Sequence, residues 1–218
     1  MRFISLLFVL STVPAHASPS TEWVKISTED GVTTYKREIP NSPVVAFKGE
    51  AIVEDSLAKI AGVLDEVARE KEWMADLAES YNIEIKTESD RWEYNRTSTP
   101  WPLHDRDFVI HTIISFAKIP VPTLTIQMNS ALHDQKPVVP GVVRGELMDS
   151  NFTMKYVAPN KTLFSCEILA DPKGVIPKWV VNLFQKSWPH DTITGLRKQL
   201  QKKDIRENET VNKLLKEI

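Results

Sequence analysis

The chain contains one cysteine in 218 residues, Cys166, so an intrachain disulfide is excluded. Residues 162–170 around it are mostly apolar, and we therefore expect a buried, unreactive thiol. Stability must come from packing rather than from cross-links. Internal repeats, low-complexity tracts and long linkers are also missing, which favours one domain of about 200 residues with a sizeable core.

Common catalytic signatures are absent as well: the sequence has no G-x-S-x-G, P-loop, dinucleotide fingerprint, C-x-x-C or H-E-x-x-H. The histidines at 104, 111, 133 and 190 are not spaced as helical metal ligands, so neither a metal nor another cofactor is predicted. A dispersed catalytic triad is defined by geometry and stays open at this stage. With 27 basic and 29 acidic residues and no polybasic patch, the charge gives no reason to expect nucleic acid as a partner.

The N-terminal segment is typical of a secretion signal. Arg2 precedes a short apolar run at residues 3–13, and residues 15–17 form an Ala-His-Ala cleavage site. The run is shorter than the roughly 20 apolar residues of a transmembrane helix, although an uncleaved anchor stays the alternative. We predict a signal peptide at residues 1–17 and a location in the bacterial periplasm or outside the cell.

Apolar periodicity after this segment predicts a sheet with two helices. A helix capped by Asp55 or Ser56 is expected to run to about Trp73, and a closing helix to begin near Ile176 and to be interrupted by Pro189. This pattern indicates an α+β protein. Strands are predicted at residues 32–37, 44–53, 83–87, 92–97, 106–116, 123–128, 142–148, 154–157 and 162–168.

Two stretches carry a resemblance to a known family. Residues 100–109, PWPLHDRDFV, run from an apolar turn into a strand, and residues 171–179, DPKGVIPKW, run through a Gly/Pro turn into the closing helix. Together they closely resemble the START domain, the lipid-transfer module related to steroidogenic acute regulatory protein and phosphatidylcholine transfer protein. The resemblance covers roughly residues 21–203. It implies the helix-grip fold, a curved antiparallel sheet wrapped around a long C-terminal helix.

The predicted organisation is therefore a signal peptide at 1–17, a START-like domain at 18–203 and a charged tail at 204–218. From Gln201 onward the apolar residues Leu214, Leu215 and Ile218 are too sparse to predict docking. We expect this tail to be a fraying helix or disordered.

The resemblance also implies an internal apolar cavity between the central strand and the closing helix. Periodicity alone favours a solid core at these positions, and the resemblance favours a hollow one. The opposite parity of the strand, with Val109, His111 and Ile113 inside, stays open because a one-residue slip flips every side chain. By analogy the cavity is lined by Phe108, Ile110, Thr112 and Ile114 of the strand and by Trp179, Val180, Leu183 and Phe184 of the helix.

The apolar loop at residues 100–103 corresponds to the cavity mouth of the family. Trp101 and Leu103 are predicted to form a gate that contacts a membrane, with the alternative that Trp101 anchors the turn in the core. Arg106 and Asp107 face opposite sides of their strand. We expect Arg106 to fasten the preceding turn through a carboxylate rather than to contact ligand, and Pro189 to kink a helical lid.

Glu93 tests how far the resemblance extends to ligand class. In sterol-binding relatives an acidic residue in this region is buried opposite an arginine, whose position is Thr112 here. Without a basic partner a buried carboxylate costs several kcal/mol or becomes protonated. We therefore expect an exposed Glu93 and no sterol-specific polar contact.

The leading functional hypothesis is non-covalent binding, and transfer between membranes, of one lipid or other hydrophobic molecule by a monomer that contacts membranes transiently. One alternative is a small-molecule enzyme of the helix-grip superfamily, resembling a cyclase, with His111, Glu93 and Asp107 as the candidate groups. The other is an envelope interaction module with a vestigial pocket.

Overall fold

The computed structural model describes residues 22–42, 44–176 and 178–217, and the side chains of residues 178–180 and 182–184 lie outside this description. Most of these residues belong to strands. The strands are β1 Val24–Glu29, β2 Val32–Glu38, β3 Val45–Val53, β4 Leu77–Thr87, β5 Asp90–Thr97, β6 Arg106–Ala117, β7 Thr123–Ser130, β8 Val143–Arg144, β9 Glu146–Leu147, β10 Ser150–Ala158, β11 Lys161–Ile168 and β12 Ala170–Asp171. The helices are α1 Leu57–Asp65, α2 Lys178–Gln199 and α3 Glu209–Lys216, with a 3-10 helix at Val67–Glu72.

One long antiparallel sheet organises the molecule, in the order β1-β2-β3-β11-β10-β7-β6-β5-β4. β1 lies before the first strand predicted from the sequence. α1 and the 3-10 helix carry the chain from β3 to β4 at the far edge of the sheet, and β8 adds to β6 in parallel. α2 packs against β2, β3 and β11. The sheet therefore holds the long helix α2 in the helix-grip arrangement, and the predicted α+β fold is confirmed.

Two glycines let α2 approach the rest of the fold closely. A Cβ added to Gly49 of β3 would lie 2.9 Å from the Cβ of Pro189 in α2. A Cβ added to Gly195 of α2 would lie 2.0 Å from the carbonyl oxygen of Trp73, a backbone atom that cannot turn aside. At Gly49 the absence of a side chain lets α2 lie close to β3, and at Gly195 it lets α2 lie close to the backbone of Trp73.

The hydrophobic core consists of a larger cluster that includes α1 and a smaller one around Val44, Ala46, Leu169 and Val181. Cys166 belongs to the larger cluster, where burial raises the pKa of its thiol to about 12. The prediction of a buried cysteine is thus confirmed.

The first helical segment differs from its prediction. α1 is capped by Ser56, whose hydroxyl accepts a hydrogen bond from the Lys59 N–H at 3.1 Å, but it ends at Asp65 rather than near Trp73. Glu66 leaves the helical region, with φ −83° and ψ 63°, and a 3-10 helix follows. The prediction of one continuous helix is wrong because apolar spacing does not record this break.

The C-terminal segment is docked, so the prediction of a fraying or disordered tail is also wrong. The backbone N–H of Asn208 donates to the carbonyl oxygen of Ala58 in α1 at 2.9 Å, and the Asn208 side chain caps α3. Val211 is buried, and Leu215 packs against the larger core cluster. Two apolar residues four positions apart share one helix face, which is enough to dock a short helix.

Candidate functional site

A cavity of about 270 Å³ lies between the inner face of the sheet and α2. This volume is slightly below the roughly 300–1,000 Å³ of small-molecule pockets. The apolar part of the wall includes Met74, Leu77, Phe108, Ile110, Met128 and Phe152.

Two loops with apolar, exposed tips flank the cavity. In the first, Pro100 and Leu103 line the cavity, while Trp101 is 92% exposed. In the second, Ile176 lines the cavity and Val175 is 97% exposed. The alternative in which Trp101 anchors the turn in the core is therefore excluded. Large apolar side chains held in water beside a cavity are typical of an interaction surface.

The inner face of the central strand carries Arg106, Phe108, Ile110, Thr112 and Ile114. The first three line the cavity, whereas Thr112 is fully buried without lining it and Ile114 packs against the larger core cluster. On the opposite face, His111 stacks on Trp92 with ring centroids 3.9 Å apart and hydrogen-bonds Asp90 at 2.8 Å. The strand therefore contributes three residues to the cavity.

The helix side of the cavity is described in part. The predicted lining residues Trp179, Val180, Leu183 and Phe184 have side chains outside the described residues. Val181, Gln185 and Trp188 of the same helix line the cavity. Pro189 is buried inside α2, where it leaves the carbonyl group of Gln185 without a helical donor.

Arg106 is a buried cation on the cavity wall, only 5% exposed. One terminal nitrogen, Nη1, donates to the carbonyl oxygen of His104, and the Nε–H has no hydrogen-bond partner. Burial lowers the pKa of the guanidinium, and the charge of Asp105 offsets this in part. The site thus contains a positive charge whose donors are incompletely satisfied.

The expected carboxylate contact of Arg106 is a wrong prediction, because another arginine makes it. Arg96 donates to Asp105 through Nε at 2.9 Å and Nη2 at 2.7 Å, and Asp105 also accepts from the Thr99 N–H at 3.1 Å. These contacts fasten the turn that precedes β6. Sequence alone does not tell which of two neighbouring arginines reaches the carboxylate.

Asp107 lies on the other face of β6, as strand alternation requires. It is fully buried and accepts hydrogen bonds from Arg144 through Nε at 2.8 Å and Nη2 at 3.0 Å. Arg144 belongs to β8, so this ion pair fastens β8 to its neighbouring strand β6. Asp107 therefore serves the packing of two strands and does not line the cavity.

Glu93 is buried, not exposed as predicted: only 2% of its surface is accessible. Arg91 lies two residues earlier on the same face of β5, and its Nε donates to Glu93 Oε1 at 2.5 Å. In the sheet register Arg91 is directly opposite Thr112. The basic partner therefore lies on the same strand as Glu93, and the expectation drawn from position 112 alone was wrong.

Glu70 is the site residue that the sequence analysis missed most clearly. It lies in the 3-10 helix, lines the cavity and is 5% exposed. Burial and then the charge of Glu93 raise the pKa of Glu70 well above its usual value, while Arg91 and a 3.4 Å hydrogen bond from Asn95 oppose them. Its signal, a carboxylate within an amphipathic segment, is indistinguishable in sequence from a solvated charge.

The raised pKa of Glu70 predicts how stability depends on pH. A carboxyl group that holds its proton more tightly when folded stabilises the fold fully below the ordinary value of 4.5 and loses this contribution as pH rises through the folded pKa. We expect Glu70→Gln to raise the free energy of unfolding by about 1–3 kcal/mol at pH 8 and to leave it nearly unchanged at pH 4. Urea unfolding at both values measures this difference. Exposed Glu29→Gln is the control, and equal effects of Glu70→Gln at both pH values would contradict the assignment.

Neither a metal site nor a membrane-spanning helix is found within the described ranges. No group of three or more His, Cys, Asp and Glu side chains there is arranged to hold a metal ion. No helix in the described part of the chain has the length and hydropathy of a membrane span.

Sequence comparison identifies two relatives, one matched over most of its length and one over less than half. An uncharacterised protein of Pseudomonas aeruginosa is 26% identical over 182 residues, which cover 84% of this chain and 88% of that protein. Human START domain-containing protein 10 is 29% identical over 121 residues, which cover 55% of this chain and 40% of the human protein.

Solved structures agree with the helix-grip fold. The STAR-related lipid transfer protein of Xanthomonas axonopodis is similar with a TM-score of 0.73 and 25% identity, covering 83% of this chain and 99% of that one. Human STARD10 has a TM-score of 0.75 at 21% identity, covers 90% of this chain and 78% of its own, and supports the fold alone. The START domain profile itself matches residues 15–204, most of the chain. The protein therefore belongs to the START domain family.

Proposed function

We propose that this protein binds one lipid or similar hydrophobic molecule, without covalent attachment, in the cavity between the sheet and α2. The observation that carries the proposal is a mainly apolar cavity within a START fold. Exposing hydrocarbon to water costs about 0.8 kcal/mol per CH₂ group, so a sixteen-carbon chain costs on the order of 12 kcal/mol. An enclosed apolar wall removes that cost. The name of the Xanthomonas relative, a lipid transfer protein, points in the same direction.

Transfer between membranes is the finer part of this proposal. Trp101 and Val175 supply exposed apolar side chains beside the cavity, and Leu103, from the same loop as Trp101, lines the cavity. Tryptophan suits the interface between headgroups and acyl chains. The loops contact the membrane transiently, α2 moves aside, and the ligand passes between the loops.

Binding is favoured over the cyclase-like alternative by the positions of the candidate groups. His111 and Asp107 face away from the cavity, where Asp90 and Arg144 hold them. Glu93 is engaged by Arg91. The vestigial-pocket alternative is disfavoured by a cavity of about 270 Å³. We further propose a monomer exported by a signal peptide at residues 1–17, a segment outside the described residues.

Titration of the delipidated protein with a fluorescent fatty acid tests binding. Saturable uptake at about one probe per chain supports the proposal, since the site is a single small cavity. Absence of saturable uptake contradicts it.

The proposed lid makes a prediction about Pro189. Proline removes one helical hydrogen bond and weakens the helix locally. Pro189→Ala restores the donor, so we expect a stiffer α2 and a several-fold slower transfer of a fluorescent lipid between vesicles. Pro140→Ala, at an exposed loop position, is the matched control. An unchanged transfer rate in Pro189→Ala counts against the lid.

A further inference from the structure

The cavity wall contains one cation that the proposed binding of a hydrophobic molecule does not explain. Arg106 is 95% removed from solvent, yet its Nε–H has no partner and Nη1 meets only the carbonyl oxygen of His104. A guanidinium carries five N–H donors. Buried charges in proteins are normally paired, because an unpaired one costs several kcal/mol.

The neighbouring carboxylates are engaged elsewhere. Asp105 is held by Arg96, and Asp107 is held by Arg144 on the outer face. Four more acidic residues line the cavity, namely Glu70, Asp76, Glu167 and Asp191. The charge of Asp105 favours the protonated form of Arg106, and within the described residues no hydrogen bond or ion pair joins the other four carboxylates to its guanidinium.

Arg106 also lies where a headgroup would sit if the tail pointed inward. It is paired with Thr97 of β5, another cavity residue, and precedes Phe108 and Ile110 on the inner face of β6. The loop that carries Val175 lies against it, since a Cβ on Gly174 would lie 3.6 Å from its Nη2. Arg106 therefore places a positive charge on the cavity wall next to the apolar side chains of Phe108 and Ile110.

We propose that Arg106 binds the oxyanion of a single-chain amphiphile, a carboxylate or a phosphate, with the chain directed toward Phe108 and Ile110. A planar guanidinium matches both oxyanions and pairs with either in bidentate fashion. The cavity of about 270 Å³ favours one chain over two. This inference rests on the proposed ligand binding and specifies the chemistry of the ligand.

Displacement of a neutral fluorescent probe, N-phenyl-1-naphthylamine, from the delipidated full chain tests the proposal. The competitors share one chain and differ in the headgroup: hexadecanoate, hexadecyl phosphate and hexadecanol. We expect at least one oxyanion to bind about tenfold or more tightly than the alcohol, as for a charge-assisted hydrogen bond. The comparison of hexadecanoate with hexadecyl phosphate identifies which oxyanion the site prefers.

Variants then assign the preference to Arg106. In Arg106→Gln and Arg106→Met the oxyanion is expected to bind no more tightly than the alcohol, so the ratio of their two affinities falls to about one. Lys173→Gln removes an exposed cation from the loop that carries Val175 and is expected to keep the preference for the oxyanion over the alcohol. This control separates direct contact with Arg106 from long-range attraction by any nearby positive charge. The melting temperature of ligand-free Arg106→Met should not fall, because the variant removes an unpaired buried charge.

The outcomes separate this inference from the function on which it rests. If the wild type binds alcohol and oxyanions equally, or if Arg106→Met keeps the preference, the assignment of Arg106 is overturned while lipid binding stands. If none of the three competitors displaces the probe, the proposed function fails and the inference fails with it.

Discussion

Ile110→Trp is expected to block uptake of a fluorescent fatty acid while leaving a folded protein. Ile110 lines the cavity and is 3% exposed, so a larger ring at this position occupies space that the ligand requires. A cost of about 1–3 kcal/mol, the range for overpacking, corresponds to roughly 5- to 150-fold weaker binding. Fluorescence titration measures the dissociation constant, and circular dichroism checks the fold.

The same strand supplies the matched control. Ile113 lies on the opposite face of β6 and is 37% exposed, so Ile113→Trp adds the same ring outside the cavity. We expect Ile113→Trp to bind the probe as the wild type does. Equal binding by both variants would mean that ligands do not use the cavity.

Gly195→Ala is expected to destabilise the fold although alanine is the better helix former. In an exposed helix the change gains nearly 1 kcal/mol. Here the new Cβ would lie 2.0 Å from the carbonyl oxygen of Trp73, so α2 must move away from the 3-10 helix. We expect a net loss of about 3 kcal/mol in the free energy of unfolding, at the upper end of overpacking costs.

Urea unfolding measures this loss, with exposed Lys198→Ala as a control in the same helix. Surface substitutions usually change stability by about 0.5 kcal/mol or less. If Gly195→Ala is as stable as the wild type, α2 does not close against Trp73 as described.

The sheet and the closing helix were predictable because their signals are local. The apolar stretch of β6, the N-cap at Ser56 and the Gly/Pro turn before α2 are all contained in short stretches of sequence. The curvature of the sheet around the helix came from the resemblance, since periodicity does not distinguish a filled interior from a hollow one.

The polar residues of the site were harder to predict, each for its own reason. Glu93 is buried with Arg91, which lies two residues earlier on the same strand, and this local pair was missed because only position 112 was considered as the partner. Glu70 reaches the cavity because the helix changes type after Glu66. Arg106 faces the cavity without a carboxylate partner because Asp105 accepts its hydrogen bonds from Arg96 instead.

Mass spectrometry of an organic extract of the freshly purified protein tests the central claim most directly. The account predicts a hydrophobic molecule at about one per chain, as expected for one small cavity. Extracts that are repeatedly empty, from a protein that also takes up no fluorescent lipid, would contradict it.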